Sequence, residues 1–332
     1  MAGRPWETEM QPLRIGILGA ARIAPKAVIA PARDNPEFAV VAVAARDPAR
    51  ARAFAAEHNI PDVAEDYAAL VGRDDVDLVY NALPPKGHLP WSQAALEAGK
   101  AVLCEKPFSL TAAEARTMVA AAERSKRPLI EAFHYRFHDI VKRALARAGE
   151  LGPLVEAEAV FDVGIAYRPG ELRWLPEQGG GALMDLGCYC VHALRTFAGC
   201  EPEIVAAECT IERGVDASTR AALRFPNGLQ AKLQTSMKVE KFAATLHLKG
   251  EKGTLALSNF LAPQMGCTLT LTIGGKRFAE EAHGPTSYEA QLAHVGDVML
   301  RGATPLTGGQ DAVATMECIE AIYAKAGFKR AL

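Results

Sequence analysis

The chain has 332 residues, 49% of them hydrophobic and 23% charged, with a formal net charge of -2. That length favours two domains over one, and the composition lets each bury a full core, which excludes bulk disorder. The near-neutral charge leaves no footprint for nucleic acid or an anionic membrane surface, and no apolar run reaches the roughly 18 residues that span a bilayer.

The polar start, Met1 to Pro12, lacks the apolar segment of a secretory signal. Leu13–Leu18 then predicts a first strand, followed by a helix over Ile23–Arg33. Phe38–Ala45 predicts a strand and Pro48–His58 a helix. Leu78–Leu83 predicts a strand ended by Pro84-Pro85, which cannot continue it. Leu89–Ala98 reads as a helix stopped at Gly99. Ala101–Cys104 is a buried strand. Thr111, with Glu114 three residues on, opens a helix with a capping-box signature. Leu129–Ala132 closes the series. Strands alternating with helices predict a parallel sheet with right-handed crossovers, an α/β domain over residues 1–132.

After Ala132 the pattern changes. A helix over Asp139–Ala148 leads to a strand at Leu154–Val160, then a glycine run and a helix from about Ala182. Six strands are expected at Ile204–Ile211, Ala221–Phe225, Leu229–Thr235, Ala244–Leu248, Thr254–Leu257 and Thr268–Ile273. Asn227-Gly228 is a hairpin signal between two of them. Helices over Tyr288–Leu300 and Asp311–Ala326 end the chain. Residues 133–332 thus predict an α+β domain with a mostly antiparallel open sheet. Seven cysteines, an odd number without a CxxC pair, argue against a disulfide framework or a zinc site, and a reducing cytoplasm is the expected location.

Two constellations carry chemistry. The first strand runs into Gly19-Ala20-Ala21-Arg22-Ile23-Ala24, where a dinucleotide fingerprint needs glycines for a tight turn, close approach to pyrophosphate and helix packing. Gly19 alone is retained, and an ordinary strand-to-helix turn would read the same. The second strand ends at Ala45-Arg46-Asp47. An acid there binds the ribose 2′-hydroxyl of NAD, whereas Arg46 suits the 2′-phosphate of NADP. NADP is the expected cofactor, with NAD the alternative, unless Arg46 is a solvated loop arginine.

The second constellation joins Glu105-Lys106-Pro107, just past a strand's carboxyl end, to the segment Gly179 to His192. On a helix, Leu183, Leu186, Cys190 and Leu194 form an apolar stripe, and Asp185, Tyr189 and His192 fall opposite. That second stripe either lines a cleft or faces solvent. The three adjacent glycines would let the helix start approach a ligand.

These motifs resemble the Gfo/Idh/MocA oxidoreductases across nearly the whole chain. The segments Ala98-Gly99-Lys100, Cys104-Glu105-Lys106-Pro107 and Gly179 to Tyr189 carry the likeness. Many members place a histidine four residues after the aspartate. Tyr189 stands there in this chain, which is similar to the glucose–fructose oxidoreductase and dimeric dihydrodiol dehydrogenase branch. The phrase Glu131 to His138 and the turn Gly19 to Ala24 point to the same branch. The resemblance implies a Rossmann domain, then a substrate and oligomerisation domain, in a homodimer or homotetramer. It implies NADP-dependent hydride transfer at a hydroxyl-bearing carbon of a sugar, polyol or dihydrodiol. Lys106, Asp185 and Tyr189 are the expected catalytic residues, with Tyr189 as acid/base and Lys106 lowering its pKa, or Lys106 itself carrying the proton. Gly19, Ala20, Ala21, Arg22, Ile23, Arg46, Leu83, Pro84, His88, Glu105 and Lys106 are expected around the cofactor. His88 sits where the family contacts the nicotinamide ribose, or else faces solvent. Tyr135, Arg136, Arg173, Trp174 and His192 are candidates for the substrate side, Arg173-Trp174 as a lid; Trp174 and His192 could equally be packed core. Alternatives are a hydride-shuttling oxidoreductase or glycosidase that retains its nicotinamide, and a non-catalytic NADP(H)-binding regulator.

Overall fold

A computed structural model describes residues 11–331. Most of the polar start, on which the expectation about a secretory signal rests, lies outside them. Six strands form the first sheet: β1 (Leu13–Leu18), β2 (Phe38–Ala44), β3 (Asp62–Val63), β4 (Leu78–Asn81), β5 (Ala101–Cys104) and β6 (Leu129–Glu131). Their order is β3-β2-β1-β4-β5-β6, all parallel. The strands are apolar on both faces because helices cover both. These helices are α1 (Ala30–Arg33), α2 (Pro48–His58), α3 (Tyr67–Val71), α4 (His88–Glu97) and α5 (Ala112–Ser125). The chain reverses direction across the sheet between β1 and β4, which opens a ligand crevice at their carboxyl ends.

Three details differ from the sequence expectation. The helix after β1 begins as a π-helical turn over Pro25–Ile29 and becomes α1 only at Ala30. Pro31 has no N–H to donate, so the regular hydrogen-bond pattern cannot run through it. Residues β3 and α3 occupy are too few for any periodicity to show. Thr111 caps α5 through Glu114 N at 3.1 Å, but Glu114 accepts the N–H of Leu110 at 2.9 Å, so the box is half formed. A complete capping box opens a later helix, between Thr286 and Glu289.

The second sheet has eight strands: β7 (Leu154–Asp162), β8 (Glu203–Glu212), β9 (Val215–Arg224), β10 (Gln230–Ser236), β11 (Ala243–Gly250), β12 (Gly253–Ser258), β13 (Thr268–Ile273) and β14 (Lys276–Glu281). The order is β14-β13-β12-β11-β7-β10-β9-β8, antiparallel except for β7 beside β10. Gly228, with φ +92°, makes the β9–β10 turn. The highly charged edge strand β14 was not anticipated; its exposed side chains show no buried alternation. The remaining helices are α6 (Asp139–Ala148), α7 (Cys188–Ala198), α8 (Ser287–Arg301) and α9 (Gly309–Lys325). Helix α7 packs on one face of the second sheet, while the other face exposes Glu156, Glu158, Lys232 and Arg220. Packing crosses the expected division at 132: Leu292, Val295 and Val298 of α8 share a core with Ile15, Ile17 and Tyr80.

Candidate active site

The crevice is shaped first by Gly19. Its φ is +96°, and a Cβ there would sit 3.2 Å from Leu83 Cδ2 and 3.4 Å from the Ala82 carbonyl. Conformation and space both call for glycine. Leu83, and Pro84 after it, thus lie against the first turn. Ala20 is buried with Ala45 and Ala51, and Ala24 is fully buried, so alanine meets the small-residue demand there. Ala21 and Ile23 are half-buried and Arg22 is exposed. At the end of β2, Arg46 is exposed, its backbone N–H donating to Tyr67 Oη at 3.1 Å. Asp47 is occupied in capping α2, accepting from Ala49 N at 2.9 Å. One turn on, Arg50, which sequence reasoning passed over, donates to the Ala20 carbonyl at 2.7 Å. Two cations and no disengaged acid at this end of β2 fit a dinucleotide bearing a 2′-phosphate. The i, i+4 spacing of Arg46 and Arg50 was the available signal.

Beyond β5 the chain turns at Glu105. Its carboxylate accepts from Tyr80 Oη at 2.6 Å and from Lys106 N at 3.3 Å, which anchors the turn to the sheet. Lys106 Nζ donates to Asp185 Oδ1 at 3.0 Å and to the Asp185 carbonyl at 2.8 Å. The same ammonium lies 5.0 Å from the centre of the Tyr189 ring, a cation–π arrangement. Asp185 Oδ2 accepts from Arg173 Nε at 2.5 Å, Arg173 pairs with Glu171 at 3.0 Å, and Glu171 reaches Arg22 at 3.4 Å. Alternating charges therefore run from the dinucleotide turn to Lys106. Burial works against the Lys106 charge, but Asp185 beside it raises its pKa above the ordinary lysine value. Burial likewise opposes the Asp185 carboxylate, yet Lys106 and Arg173 bring its pKa down to about 2.

The glycine run holds Asp185 and Tyr189 in place. Gly180 lies under the Arg173 carbonyl, and Gly181, at φ +121°, would set a Cβ 2.1 Å from Asp216 Oδ1. Asp216 is fully buried and accepts from Leu183 N, Thr219 Oγ1 and Tyr323 Oη, each at 2.7 Å. It thereby caps the π-helical turn Leu183–Gly187 that leads into α7. Of the stripe expected to line a cleft or face solvent, Tyr189 and His192 are buried with most of α7, whereas Asp185, in the turn before it, is half-buried beside Lys106.

Several expected roles change. Tyr189 has its pKa pushed well above 10 by burial, not lowered by Lys106. The ammonium sits over the ring rather than beside the oxygen, and Asp185 offsets its charge. His88 neither reaches into the crevice nor faces solvent: it is fully buried, with Nδ1 2.9 Å from the Pro107 carbonyl and Nε2 2.7 Å from the Leu83 carbonyl. Burial lowers its pKa to about 4, and the one N–H of the neutral ring donates to one of these two carbonyls, between the two turns. Tyr135 and His192 hydrogen-bond each other at 2.6 Å, and His192 Nε2 lies 3.1 Å from Asp311 Oδ2. Their polar atoms are thus engaged inside the core and not offered to a substrate. Half-buried Arg136 acts electrostatically on Tyr135 and His192. Trp174 is core rather than lid: it is 2% exposed, donates to the Ile165 carbonyl at 3.1 Å and packs with Ala182, Leu186 and Met237. Arg173 does reach the site.

Residues 13–133 match the family model described as "Oxidoreductase family, NAD-binding Rossmann fold", and residues 141–256 match the GFO/IDH/MocA C-terminal domain. A D-xylose 1-dehydrogenase (NADP(+)) of Haloferax volcanii is 34% identical over 95% of this chain and 97% of its own. A trans-1,2-dihydrobenzene-1,2-diol dehydrogenase of Mus musculus is 36% identical over 80% of this chain and 79% of its own. Among solved structures, an aldose-aldose oxidoreductase from Caulobacter crescentus superposes with a TM-score of 0.87 at 28% identity, covering 95% of this chain and 98% of that one. A 3-ketoreductase from Actinomadura kijaniata, in complex with NADP and TDP-benzene, superposes at 0.86 with 27% identity and the same coverage. With both domain models matched in order and this likeness running through nearly the whole chain, the protein belongs to the Gfo/Idh/MocA oxidoreductase family.

Proposed function

We propose that the protein transfers hydride between NADP(H) and the hydroxyl-bearing carbon of a sugar, polyol or dihydrodiol. The observation that carries this is Lys106, held by Asp185 at 3.0 Å and lying over Tyr189, at the mouth of the parallel sheet. Gly19, Arg46 and Arg50 would hold the nucleotide, which would supply the hydride acceptor or donor when bound. Lys106, kept charged by Asp185, donates a hydrogen bond to the reacting oxygen and stabilises negative charge developing there. Tyr189 exchanges the proton with that oxygen. Arg173 aims Asp185, and Glu105 fixes the turn that carries Lys106. The NADP-dependent xylose dehydrogenase and the dihydrodiol dehydrogenase support the cofactor and the substrate class. Residues 1–132 form the nucleotide-binding part and 133–332 the substrate part. The exposed charged face of the second sheet is the surface for self-association, and the reduced cytoplasm is the compartment.

The test is a spectrophotometric screen with NADP⁺ and NAD⁺ against aldoses, polyols and trans-dihydrodiols. Substrate-dependent NADPH formation is expected, abolished in Lys106→Met and lowered about 10²–10⁴-fold in Tyr189→Phe. A second reading, hydride shuttling between two sugars, is favoured by the likeness to the aldose-aldose oxidoreductase. Nicotinamide retained through gel filtration, with turnover only when two sugars are present, would select it. No turnover in either format would refute both.

A further inference from the structure

We propose that His134 is the acceptor of the Tyr189 proton, at the inner end of a hydrogen-bonded file that runs to the protein surface; this rests on the proposed proton exchange at Tyr189. Tyr189 Oη lies 3.2 Å from His134 Nε2, and His134 Nδ1 lies 2.8 Å from Ser287 Oγ. Ser287 sets its backbone N–H and its hydroxyl against Gln264 Oε1, at 3.3 and 3.0 Å. His134 and Ser287 are buried, whereas Gln264 is exposed.

The direction of this file follows from counting protons. A backbone N–H only donates, so the Gln264 atom facing Ser287 is its carbonyl oxygen. That oxygen takes the single hydroxyl proton of Ser287. Ser287 Oγ is then an acceptor, and the ring hydrogen of His134 is on Nδ1. Nε2 is left with a lone pair facing Tyr189, whose hydroxyl must donate to it. The opposite assignment would set the lone pairs of Ser287 and Gln264 against each other at 3.0 Å. The lone pairs of Tyr189 Oη are thus free to accept from a substrate hydroxyl.

In oxidation, the carbinol hydrogen leaves with its electron pair to the oxidised nicotinamide nucleotide. The substrate O–H proton passes to Tyr189 Oη as the Tyr189 proton passes to His134 Nε2. The carbon is oxidised to a carbonyl, the nucleotide is reduced, and the imidazole becomes an imidazolium. One positive charge disappears from the nicotinamide as one appears on His134, so the net charge of the pocket is unchanged. After the product leaves, the Nε2 proton returns to Tyr189 Oη as that oxygen gives up the substrate's proton to solvent in the crevice, which restores the Nδ1 tautomer, and reduction runs the path backwards. Tyr189 never has to become a phenolate, a state its burial opposes. The titratable groups around the His134 ring are Tyr189, Tyr288 stacked at 4.1 Å, Lys106 and Lys26. Burial, with the two lysines, holds the ring pKa down to about 3, so the resting imidazole is neutral and the imidazolium is a short-lived form that gives its proton back once the product has left. His134 acts through Tyr189 and is a positioning residue as well as a proton store.

Two measurements test this. Nitrogen-15 spectra of the histidine side chains in the cofactor-free protein read the tautomer directly. A neutral ring protonated at Nδ1 is expected from about pH 6 to 9, with the Nε2 resonance shifted in Tyr189→Phe. A ring protonated at Nε2 overturns the proposal. The second readout is kcat/KM for oxidation against pH. The wild type is expected to be nearly flat between about pH 7 and 9, whereas His134→Met should rise about tenfold per pH unit because Tyr189 must then lose its proton to hydroxide. His134→Gln keeps a hydrogen-bond acceptor for Tyr189 but no base, and should show the same steep profile as His134→Met. An unchanged profile in His134→Met, with or without a uniform loss of rate, overturns the relay. If His134→Met does not fold, the tautomer and the His134→Gln profile decide, and a profile in that variant as flat as the wild type overturns it. If Tyr189→Phe turns over like the wild type, the Tyr189 reading falls and takes this one with it. If Tyr189→Phe is inactive while His134→Met keeps the wild-type profile, only the role of His134 falls.

Discussion

Replacing Asp185 by asparagine removes the one carboxylate that holds Lys106 and Arg173 together. Its pKa falls from 3.8 to about 2 on folding. A depressed carboxylate contributes stability in full above its unfolded pKa and loses it as the pH falls through its folded pKa. A shift of this size corresponds to about 2 kcal/mol at pH 7, and to about 1 kcal/mol at pH 3, where the unfolded carboxyl is mostly protonated and the folded one mostly is not. Asp185→Asn should therefore destabilise the protein by about 2 kcal/mol at pH 7, through the lost attraction to the two cations. Urea unfolding of both proteins at pH 7 and pH 3 measures it. The gap between them should narrow by about 1 kcal/mol at the lower pH. A gap below about 0.5 kcal/mol at pH 7, or one equal at both pH values, would refute the account of Asp185 as the anchor of the two cations. The same variant should lose turnover even where it is folded, because Lys106 is no longer aimed.

Arg50→Ala should weaken NADP⁺ binding about 10- to 100-fold, the worth of one charge-assisted hydrogen bond, and change NAD⁺ binding little. Fluorescence titration with both nucleotides checks this, and an equal loss for both would show that Arg50 acts only through the Ala20 carbonyl. Gly181→Ala should cost about 3–6 kcal/mol, from a side chain at positive φ and from displacing Asp216 from its three partners. Denaturant unfolding measures that cost, and a change under about 0.5 kcal/mol would mean the turn relaxes around the methyl group.

The elements with a strong local signal were legible along the chain. Pro48–His58 with its Asp47 cap, Ala101–Cys104 and Thr268–Ile273 lie where pattern and punctuation put them. Short or exposed elements were not, because Asp62–Val63 has no period and Lys276–Glu281 no buried face. The Gly274-Gly275 turn before that last strand, with φ of +56° and +76°, was the one cue for it.

What the sequence by itself determined was the order of the two sheets, which follows from periodicity and punctuation that depend only on near neighbours in the chain. The family, and with it the expected roles of Lys106, Asp185 and Tyr189, came from the resemblance of short motifs. Tertiary structure alone decided where each polar atom points. The helical stripe that put Asp185, Tyr189 and His192 on one side assumed a regular helix, but Leu183–Gly187 is a π-helical turn and α7 is enclosed. Asp185 therefore faces Lys106, Tyr189 faces His134, and His192 turns to Tyr135 and Asp311. Protonation was likewise beyond the sequence. An ammonium near a phenol promised a lowered phenol pKa, yet burial and the prior claim of Asp185 on Lys106 push it the other way, because desolvation and pairing are set by residues far apart in the chain.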